Sequence, residues 1–360
     1  MKVALLTAKP NWSRKVDGHK MYVGEKRPPH GIGFLTAVLE RSGVQVDVYD
    51  RYCGDKSWPK DDFASYDFMG LYCTSVCTDD IEHVIKRSKA PRIAVGGPHA
   101  HCFPDQIPAK ANHIVRGEAE YIICDLVAGK IEDRIVEPRR LTSQELDALP
   151  RFPFERFYGG PKKKLYDWGF HFHEVSPVFT MNTSRGCPYS CSFCSVSSIW
   201  GNKLTVMSAQ KVFDDIRYVV SLGARGLYFR EDNFTARKSR LVELCEMLAK
   251  SDEKVLWACE TRVDTVDDEL MGLMRAAGCI GFYVGVEHLS QRMLDLFNKG
   301  VSVEQILAFF ESTHKRGIFT HASFIVDHPE ERPEDKKERE RLLTVIAPSF
   351  VVNNTYRENG

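Results

Sequence analysis

Short runs of hydrophobic residues alternate with amphipathic segments along the first 130 residues. The runs KVALLTA, VQVDVYD, FMGLYC, RIAVGG and HIVRGE have the length and composition of buried strands. Between them, GIGFLTAVLERSG, DDIEHVIKRSK and EYIICDLVAGK repeat apolar residues at helical spacing. Strands that alternate with helices predict a parallel sheet covered on both faces. We therefore expect residues 1–130 to form a doubly wound α/β domain, which binds ligands at the carboxyl ends of its strands.

The alternation stops and then resumes in longer units. Residues 131–177 are rich in proline and glycine, include a basic cluster, and predict a linker. From residue 178 the runs VFTMNTS, RGLYFRED, KVLWACETR, GFYVGVE, FTHASFIV and SFVVNN indicate strands with helices between them. Five or six strand and helix pairs predict a partial (β/α)6 barrel over residues 178–354, with its chemistry in the loops after the strands. Residues 355–360 are left as a C-terminal tail.

Composition excludes several classes of function. The 360 residues include 49 Lys+Arg and 49 Asp+Glu, so the net charge is +0 and there is no positive field to hold a nucleic acid. No apolar run is long enough to span a membrane, and the opening MKVALLTAKP is too short for a signal peptide. We expect a cytoplasmic protein with neither a nucleic-acid nor a membrane partner.

Three cysteines lie together after the first strand of the predicted barrel. RGCPYSCSFC spaces Cys187, Cys191 and Cys194 as C-x3-C-x2-C, close enough to bind three irons of one iron–sulfur cube and leave the fourth open to a small molecule. A zinc site is the first alternative, but structural zinc takes four ligands and only His171 and His173 lie near. Chance packing is the second alternative. The other cysteines in apolar runs are typical of packing thiols.

The cysteine loop resembles that of the radical S-adenosylmethionine (SAM) enzymes. The shared features are the C-x3-C-x2-C spacing, an aromatic residue before the last cysteine (Phe193), and a place after the first strand of a partial barrel. The resemblance implies a [4Fe–4S] cluster on Cys187, Cys191 and Cys194 whose open iron chelates SAM, and it counts Phe193 among the residues that bind SAM. One-electron reduction then cleaves SAM to a 5'-deoxyadenosyl radical.

LYFREDNFT is similar to the second-strand segment of the same family. The resemblance implies that Glu231, Asp232 and Asn233 meet the methionyl amino group of SAM, for which carboxylates and an amide oxygen are chemically suited.

The following segments CETRVD and VGVEHLSQRML also match the family's order. They imply that Glu260 and Arg262 lie at the ribose and carboxylate of SAM and that Glu287 lies near the barrel mouth. A buried ion pair between Arg262 and Glu287 is the alternative.

The chain departs from the family after the fifth strand, where FIVDHPEE replaces a glycine-rich turn. Asp327 and His328 are expected to face substrate there, with His328 as a candidate proton donor.

The front domain resembles the cobalamin-binding, Rossmann-like domain that precedes many radical SAM enzymes. The resemblance rests on PPHGIGFLTAVLERSGVQVDVYD, VGGPHAHCFPDQIP and HIVRGEAEYII. No D-x-H-x2-G sequence supplies a histidine as the lower ligand of the corrinoid. The fold without cobalamin is one alternative, and a second cluster on Cys53, Cys73 and Cys77 is another. The residues that the resemblance assigns to cobalamin are Thr74, Ser75, Gly96, Gly97, His99, Gly117 and Glu118.

These resemblances imply a cobalamin-dependent radical SAM methyltransferase that acts on an unactivated carbon. A carbon without a lone pair cannot attack a sulfonium, so it must first become a radical and then collect methyl from methylcobalamin. We expect a small-molecule or peptide substrate and a reductant such as flavodoxin or ferredoxin. Cyclisation, rearrangement or oxidation with the same cofactors is an alternative outcome, and a non-catalytic iron–sulfur protein is another.

Overall fold

The computed structural model describes residues 1–11, 15–16, 19–20, 27–160, 163–166 and 174–356. The chain forms two compact units, Met1–Trp168 and Gly169–Gly360. The segment expected as a linker is divided between them. His171 and His173, the histidines of the zinc alternative, and residues 357–360 of the expected tail lie outside the described residues.

A six-stranded parallel sheet forms the centre of the first unit. Its elements are β1 (Lys2–Thr7), α1 (His30–Arg41), β2 (Gln45–Asp50), β3 (Phe68–Tyr72), α2 (Thr78–Arg87), β4 (Ile93–Gly96), α3 (Pro98–Cys102), β5 (His113–Val115), α4 (Ile123–Ala128), β6 (Ile135–Val136) and α5 (Ser143–Ala148). The strand order is β2-β1-β3-β4-β5-β6, and all pairs are parallel. The order reverses between β1 and β3, which makes their carboxyl ends the ligand-binding edge of a doubly wound sheet.

Alternate residues of these strands bury both faces of the sheet. Leu6 and Met69 pack in one hydrophobic cluster with α2, whereas Leu5 and Phe68 pack in another with α1 and α4. This two-sided burial explains why the strands are continuous apolar runs in the sequence.

The second unit contains another six-stranded parallel sheet. Its elements are β7 (Val178–Met181), β8 (Ser184–Arg185), α6 (Val196–Trp200), β9 (Thr205–Val206), α7 (Ala209–Ser221), β10 (Gly226–Phe229), α8 (Lys238–Lys250), β11 (Leu256–Arg262), α9 (Asp268–Ala276), β12 (Cys279–Glu287), α10 (Gln291–Leu296), α11 (Val303–Lys315), β13 (Phe319–Val326), α12 (Pro333–Ile346) and β14 (Phe350–Thr355). The order β14-β13-β12-β11-β10-β7 follows the chain, and within the described residues β7 and β14 do not pair. The sheet is thus an open, partial barrel, and the predicted α/β fold class is confirmed.

Several short elements lie outside the predicted pattern. Strand β6 and helix α5 fall within the segment expected as a linker, and β8 pairs with β9 as an antiparallel ribbon beside the cysteine loop. Lys15–Val16 and His19–Lys20 pair in antiparallel orientation. The described residues include no helix that is both long and apolar enough to cross a membrane. Single turns of 3-10 or π type occur at Ser75–Cys77, Pro104–Gln106, Glu155–Gly159, Lys163–Leu165, Phe234–Ala236 and Val263–Thr265.

Candidate active site

The three cysteines of the loop lie between β8 and α6, at the carboxyl end of the first barrel strand. All three are free thiols; Cys191 is buried, and Cys187 and Cys194 are half-buried. The chain enters the loop at Gly186, which has φ +80°, and a Cβ there would lie 2.3 Å from the carbonyl oxygen of Lys203. Only glycine fits this turn, which aims Cys187 into the site.

Backbone donors and neighbouring charges surround the thiols. The pKa of Cys187 and that of Cys194 are raised, mainly by burial. Backbone N–H groups of Tyr189 and Val196 act in the opposite direction, because they hydrogen-bond the sulfurs of Cys187 and Cys194. Sulfurs that accept backbone hydrogen bonds are suited to act as thiolate ligands.

The thiols do not converge on the point that one metal ion would occupy. In the described part of the chain, no group of three or more His, Cys, Asp or Glu side chains forms such a site. Zinc would need its sulfur ligands about 2.3 Å from one point. An iron–sulfur cluster requires less convergence, because each thiolate binds a different iron.

The segment after α10 holds the loop in place. The Ser192 amide donates to the carbonyl oxygen of Phe297 at 2.9 Å, and Asn298 Nδ2 donates to that of Ser190 at 2.9 Å. Phe193 packs on Phe297 with 5.6 Å between ring centroids. Phe193 therefore anchors the loop to the barrel wall in this structure.

Arg262, the last residue of β11, contacts the loop at two places. Its Nη1 donates to Cys191 Sγ at 3.3 Å, and its guanidinium lies over the Tyr189 ring, 3.8 Å from the centroid. Nε donates to Asp264 at 2.9 Å, and Nη2 donates to the carbonyl oxygen of Lys299 at 2.5 Å. In the structure these donors go to protein groups, and the SAM contact that the resemblance implies for Arg262 stays a prediction.

Two carboxylates lie at the ends of the neighbouring strands. Asp232 follows β10 and is exposed; desolvation by the surrounding protein, with repulsion from Glu260 and Glu231, raises its pKa to about 6. The amide of Gly186 hydrogen-bonds Asp232, which places this carboxylate beside the cysteine loop. Glu260 is half-buried and accepts a 2.7 Å hydrogen bond from the Tyr228 hydroxyl.

Glu231 and Asn233 differ from Asp232 in their surroundings. Glu231 is buried and accepts hydrogen bonds from Thr183 (amide and hydroxyl, both 2.5 Å) and from the Ser184 hydroxyl. It fastens β10 to the strand end before the loop. Asn233 is 1% exposed and its Nδ2 finds no hydrogen-bond partner within the described residues. A buried donor of this kind costs about 1–3 kcal/mol unless a ligand satisfies it.

Glu287 does not pair with Arg262. Its Oε1 accepts a 3.0 Å hydrogen bond from Lys299 Nζ, and both side chains are buried. Glu287 has φ +68°, and the register of β12 shifts there. A Cβ on Gly285 would lie 2.5 Å from Glu287 Oε1, so glycine leaves the space for this carboxylate.

The departure after the fifth barrel strand forms an aromatic contact. Asp327 is exposed with φ +60°. The His328 ring lies 4.1 Å from that of Tyr356 and 5.4 Å from that of Phe297, and its Nδ1 accepts from the Glu330 amide at 3.1 Å. The proton-donor role of His328 stays a prediction.

In the first unit, the residues expected at cobalamin gather at the carboxyl ends of β3 and β4. Ser75 Oγ lies 3.2 Å from Nδ1 of His99, which is buried and has a lowered pKa because of desolvation. Thr74 Oγ1 lies 3.2 Å from Cys77 Sγ. Gly97 has φ +103°, and a Cβ there would lie 2.5 Å from the carbonyl oxygen of Cys73.

Of the remaining front-domain candidates, Gly96 ends β4, and Gly117 and Glu118 follow the neighbouring strand β5. A Cβ on Gly96 would meet only ordinary contacts, whereas Gly117 has φ +151°. Glu118 is buried and its Oε2 accepts from the Leu141 amide at 2.8 Å. Of the cysteines proposed for a second cluster, Cys53 donates to the carbonyl oxygen of Arg27 at 3.3 Å, and burial raises the pKa of Cys73 to about 12.

Residues 181–343 match the family model of the radical SAM superfamily. This part of the chain is a radical SAM domain. The matched residues contain the whole cysteine loop, so its three free thiols and their backbone donors fit the [4Fe–4S] cluster of this superfamily. The unpartnered Nδ2 donor of Asn233 fits a ligand at the end of β10.

Two curated relatives of the chain have different named activities. An uncharacterised methyltransferase of Pyrococcus horikoshii is 25% identical over 346 residues, which are 88% of this chain and 73% of the relative. The anaerobic magnesium-protoporphyrin IX monomethyl ester cyclase of Rubrivivax gelatinosus is 30% identical over 342 residues, which are 88% of this chain and 61% of the relative.

A solved structure shares the fold of both units. The radical SAM methyltransferase from Kitasatospora setae, solved with its tryptophan substrate and a SAM analogue, has a TM-score of 0.76 and 17% identity. The alignment covers 99% of this chain and 72% of that protein. The same enzyme has also been solved with cobalamin and a [4Fe–4S] cluster bound.

Sequence reasoning missed the residues that support the site. Asp264 and the Lys299 carbonyl oxygen accept hydrogen bonds from Arg262 and orient it. Lys299 Nζ donates to Glu287, and the Thr183 hydroxyl donates to Glu231. Asp264 was visible as the acidic residue two positions after an arginine in CETRVD. The partnership of Lys299 with Glu287 had no such signal, because it depends on how the chain returns after α10.

Proposed function

We propose that the chain is a cobalamin-dependent radical SAM enzyme that transfers a methyl group to an unactivated carbon. The observation that supports this proposal most directly is the three-cysteine loop after β7. The loop lies beside Asp232, which follows the second barrel strand. A cluster with bound SAM supplies a carbon-centred radical, and cobalamin supplies a methyl group.

The residues of the barrel unit have distinct proposed tasks. Cys187, Cys191 and Cys194 hold the cluster. Asp232 offers a carboxylate, and Asn233 offers its unpartnered Nδ2 donor, to the polar end of SAM. Glu260, held by Tyr228, is proposed at the ribose, as the family resemblance implies.

The first unit is proposed to bind the corrinoid. The Ser75–His99 pair and the Thr74 hydroxyl lie at the carboxyl ends of β3 and β4, the edge at which doubly wound sheets bind ligands. The fold shared with an enzyme solved with cobalamin supports this assignment. Gly117 and Glu118 remain proposed contributors at the same edge, and Gly96 is proposed to contribute through its backbone alone.

Oxidative cyclisation is the second candidate reaction. It is favoured by the Rubrivivax relative, which is named a cyclase and has the higher identity of the two curated relatives. Methyl transfer is preferred because the Pyrococcus relative and the structural neighbour are both named methyltransferases. Small-molecule substrates fit either reaction. We further propose flavodoxin or ferredoxin as the reductant. The cytoplasm is the proposed compartment, because every cysteine is a free thiol.

The experiment that separates the two reactions uses SAM with a deuterated methyl group. Anaerobically reconstituted protein is incubated with cobalamin, reductant and candidate substrates, and products are analysed by mass spectrometry. Methyl transfer predicts product that carries the deuterated methyl, together with 5'-deoxyadenosine. A product that has lost hydrogen and gained no label would support cyclisation instead.

A further inference from the structure

The guanidinium of Arg262 makes four hydrogen bonds within the protein. Its side chain is 6% exposed and reaches both Asp264 oxygens, Nε to Oδ1 at 2.9 Å and Nη2 to Oδ2 at 3.0 Å. The Lys299 carbonyl and Cys191 Sγ take further donors of the guanidinium. An arginine has five donors in a fixed planar fork, and these four bonds fix that plane.

The fixed plane puts a positive charge directly against one sulfur of the loop. Nη1 is 3.3 Å from Cys191 Sγ, whereas Asp264 binds through Nε and Nη2. The ion pair therefore acts as a dipole with its positive end towards the sulfur. Cys191 is buried, so bulk water and salt screen this interaction weakly.

The guanidinium also fixes the path of the loop. Tyr189 lies between the first two cysteines, and its ring stacks under the guanidinium with 3.8 Å to the centroid. Arg262 thus holds the loop at residue 189 and at residue 191. A lysine could not reproduce both contacts, because its ammonium lacks the planar fork.

We propose that Arg262 is a positioning residue that holds the Cys191 corner of the cluster and raises the reduction potential of the cluster. The inference rests on the proposed function only in that it requires a cluster on the three cysteines. Reduction adds negative charge to a cluster, and a fixed cation with a hydrogen bond to a ligand sulfur stabilises the reduced state.

The test is a redox titration of anaerobically reconstituted full-length protein, followed by electron paramagnetic resonance. Arg262→Gln is expected to lower the ratio of reduced to oxidised cluster about tenfold at a fixed potential, which equals about 59 mV for one electron. Arg262→Lys should fall between the variant and the parent protein. Arg316→Gln is the matched control: Arg316 also pairs with an aspartate, Asp268, at 2.7 Å, and should leave the potential unchanged.

A second variant addresses the risk that Arg262→Gln leaves Asp264 buried without its partner. The double change Arg262→Gln with Asp264→Asn removes both charges, so no uncompensated charge remains. The reduction potential of the cluster in the double variant should also fall below that of the parent protein, but by less than in Arg262→Gln. Parent-like potentials in both variants with full iron content would overturn the proposal. Loss of iron from both variants in folded protein, with iron kept in Arg316→Gln, would support the positioning role.

The potential is read without any turnover. Failure of this inference is therefore distinguishable from failure of methyl transfer. A protein that methylates its substrate with unchanged cluster potential in the Arg262 variants would retain the proposed function and lose this inference.

Discussion

Lys299 and Glu287 form a buried ion pair at the carboxyl end of the fourth barrel strand, with 3.0 Å between Nζ and Oε1. The carboxylate sits on a residue with φ +68°, a backbone conformation that non-glycine residues rarely adopt. Strain of this kind persists only where the surroundings impose it, and it concentrates at functional sites. The pair therefore links the strained strand end to the segment that holds the cysteine loop.

Removing the lysine should destabilise the barrel unit strongly. Lys299→Met leaves Glu287 buried without its cation, which we expect to lower the free energy of unfolding by about 3–5 kcal/mol. Chemical denaturation of the apo protein measures this loss. The control is Lys315→Met, since Lys315 pairs with Glu311 on an exposed helix surface and should change stability by about 0–1 kcal/mol. Equal effects of the two changes would contradict the structural account of the pair.

The pair also depends on the absence of a side chain at residue 285. In Gly285→Ala, the new Cβ would lie 2.5 Å from Glu287 Oε1 and 3.1 Å from Lys299 Nζ. We expect a loss of about 1–3 kcal/mol from this overpacking. Gly272→Ala in helix α9 meets only ordinary contacts and should stabilise the same unit by about 0.4–1 kcal/mol. Shifts of the denaturation midpoint in the same direction for the two variants, relative to the parent protein, would disprove the prediction.

Asp232 should make stability depend on pH. Its pKa is raised to about 6 from 3.8, so the folded state holds a proton that the unfolded state has already released between those values. The resulting penalty is absent below pH 4, grows as pH rises, and is complete above pH 6. Asp232→Asn should therefore stabilise the protein relative to the parent at pH 7.5 and much less at pH 4.5. Denaturation at both pH values checks this, and a difference independent of pH would contradict the environment described for Asp232.

The front domain allows a comparison of two adjacent glycines. Gly97→Ala forces a Cβ to 2.5 Å from the Cys73 carbonyl oxygen at φ +103°, so the start of α3, which carries His99, must shift. Gly96→Ala brings its Cβ no closer than 3.7 Å to the nearest atom. We expect Gly97→Ala to weaken cobalamin binding at least tenfold and Gly96→Ala to leave it nearly unchanged, as measured by absorbance titration. Equal affinities would argue against a corrinoid at this edge.

The alternation of apolar runs and amphipathic segments predicted both parallel sheets, because burial on both faces makes such strands apolar throughout. The cysteine spacing likewise indicated the cluster, since its ligands are local in sequence. The contact between Arg262 and Lys299 could not be predicted in this way. Lys299 reaches it from 37 residues away, through a chain path that only the folded barrel defines. The sequence pattern does not predict helix α5, because its six residues lie within a proline-rich segment. Thr142 and Glu145 nevertheless form a capping box at its start.

The most direct test of the central claim is iron analysis with Mössbauer spectroscopy of anaerobically reconstituted protein, with and without SAM. A cluster on Cys187, Cys191 and Cys194 predicts about four irons per chain, one of which changes its spectrum when SAM binds. Alanine at any of the three positions should abolish this signal, whereas Cys245→Ala, at a buried packing thiol, should retain it. Four equivalent irons that ignore SAM, or full iron content in the Cys191→Ala variant, would contradict the account.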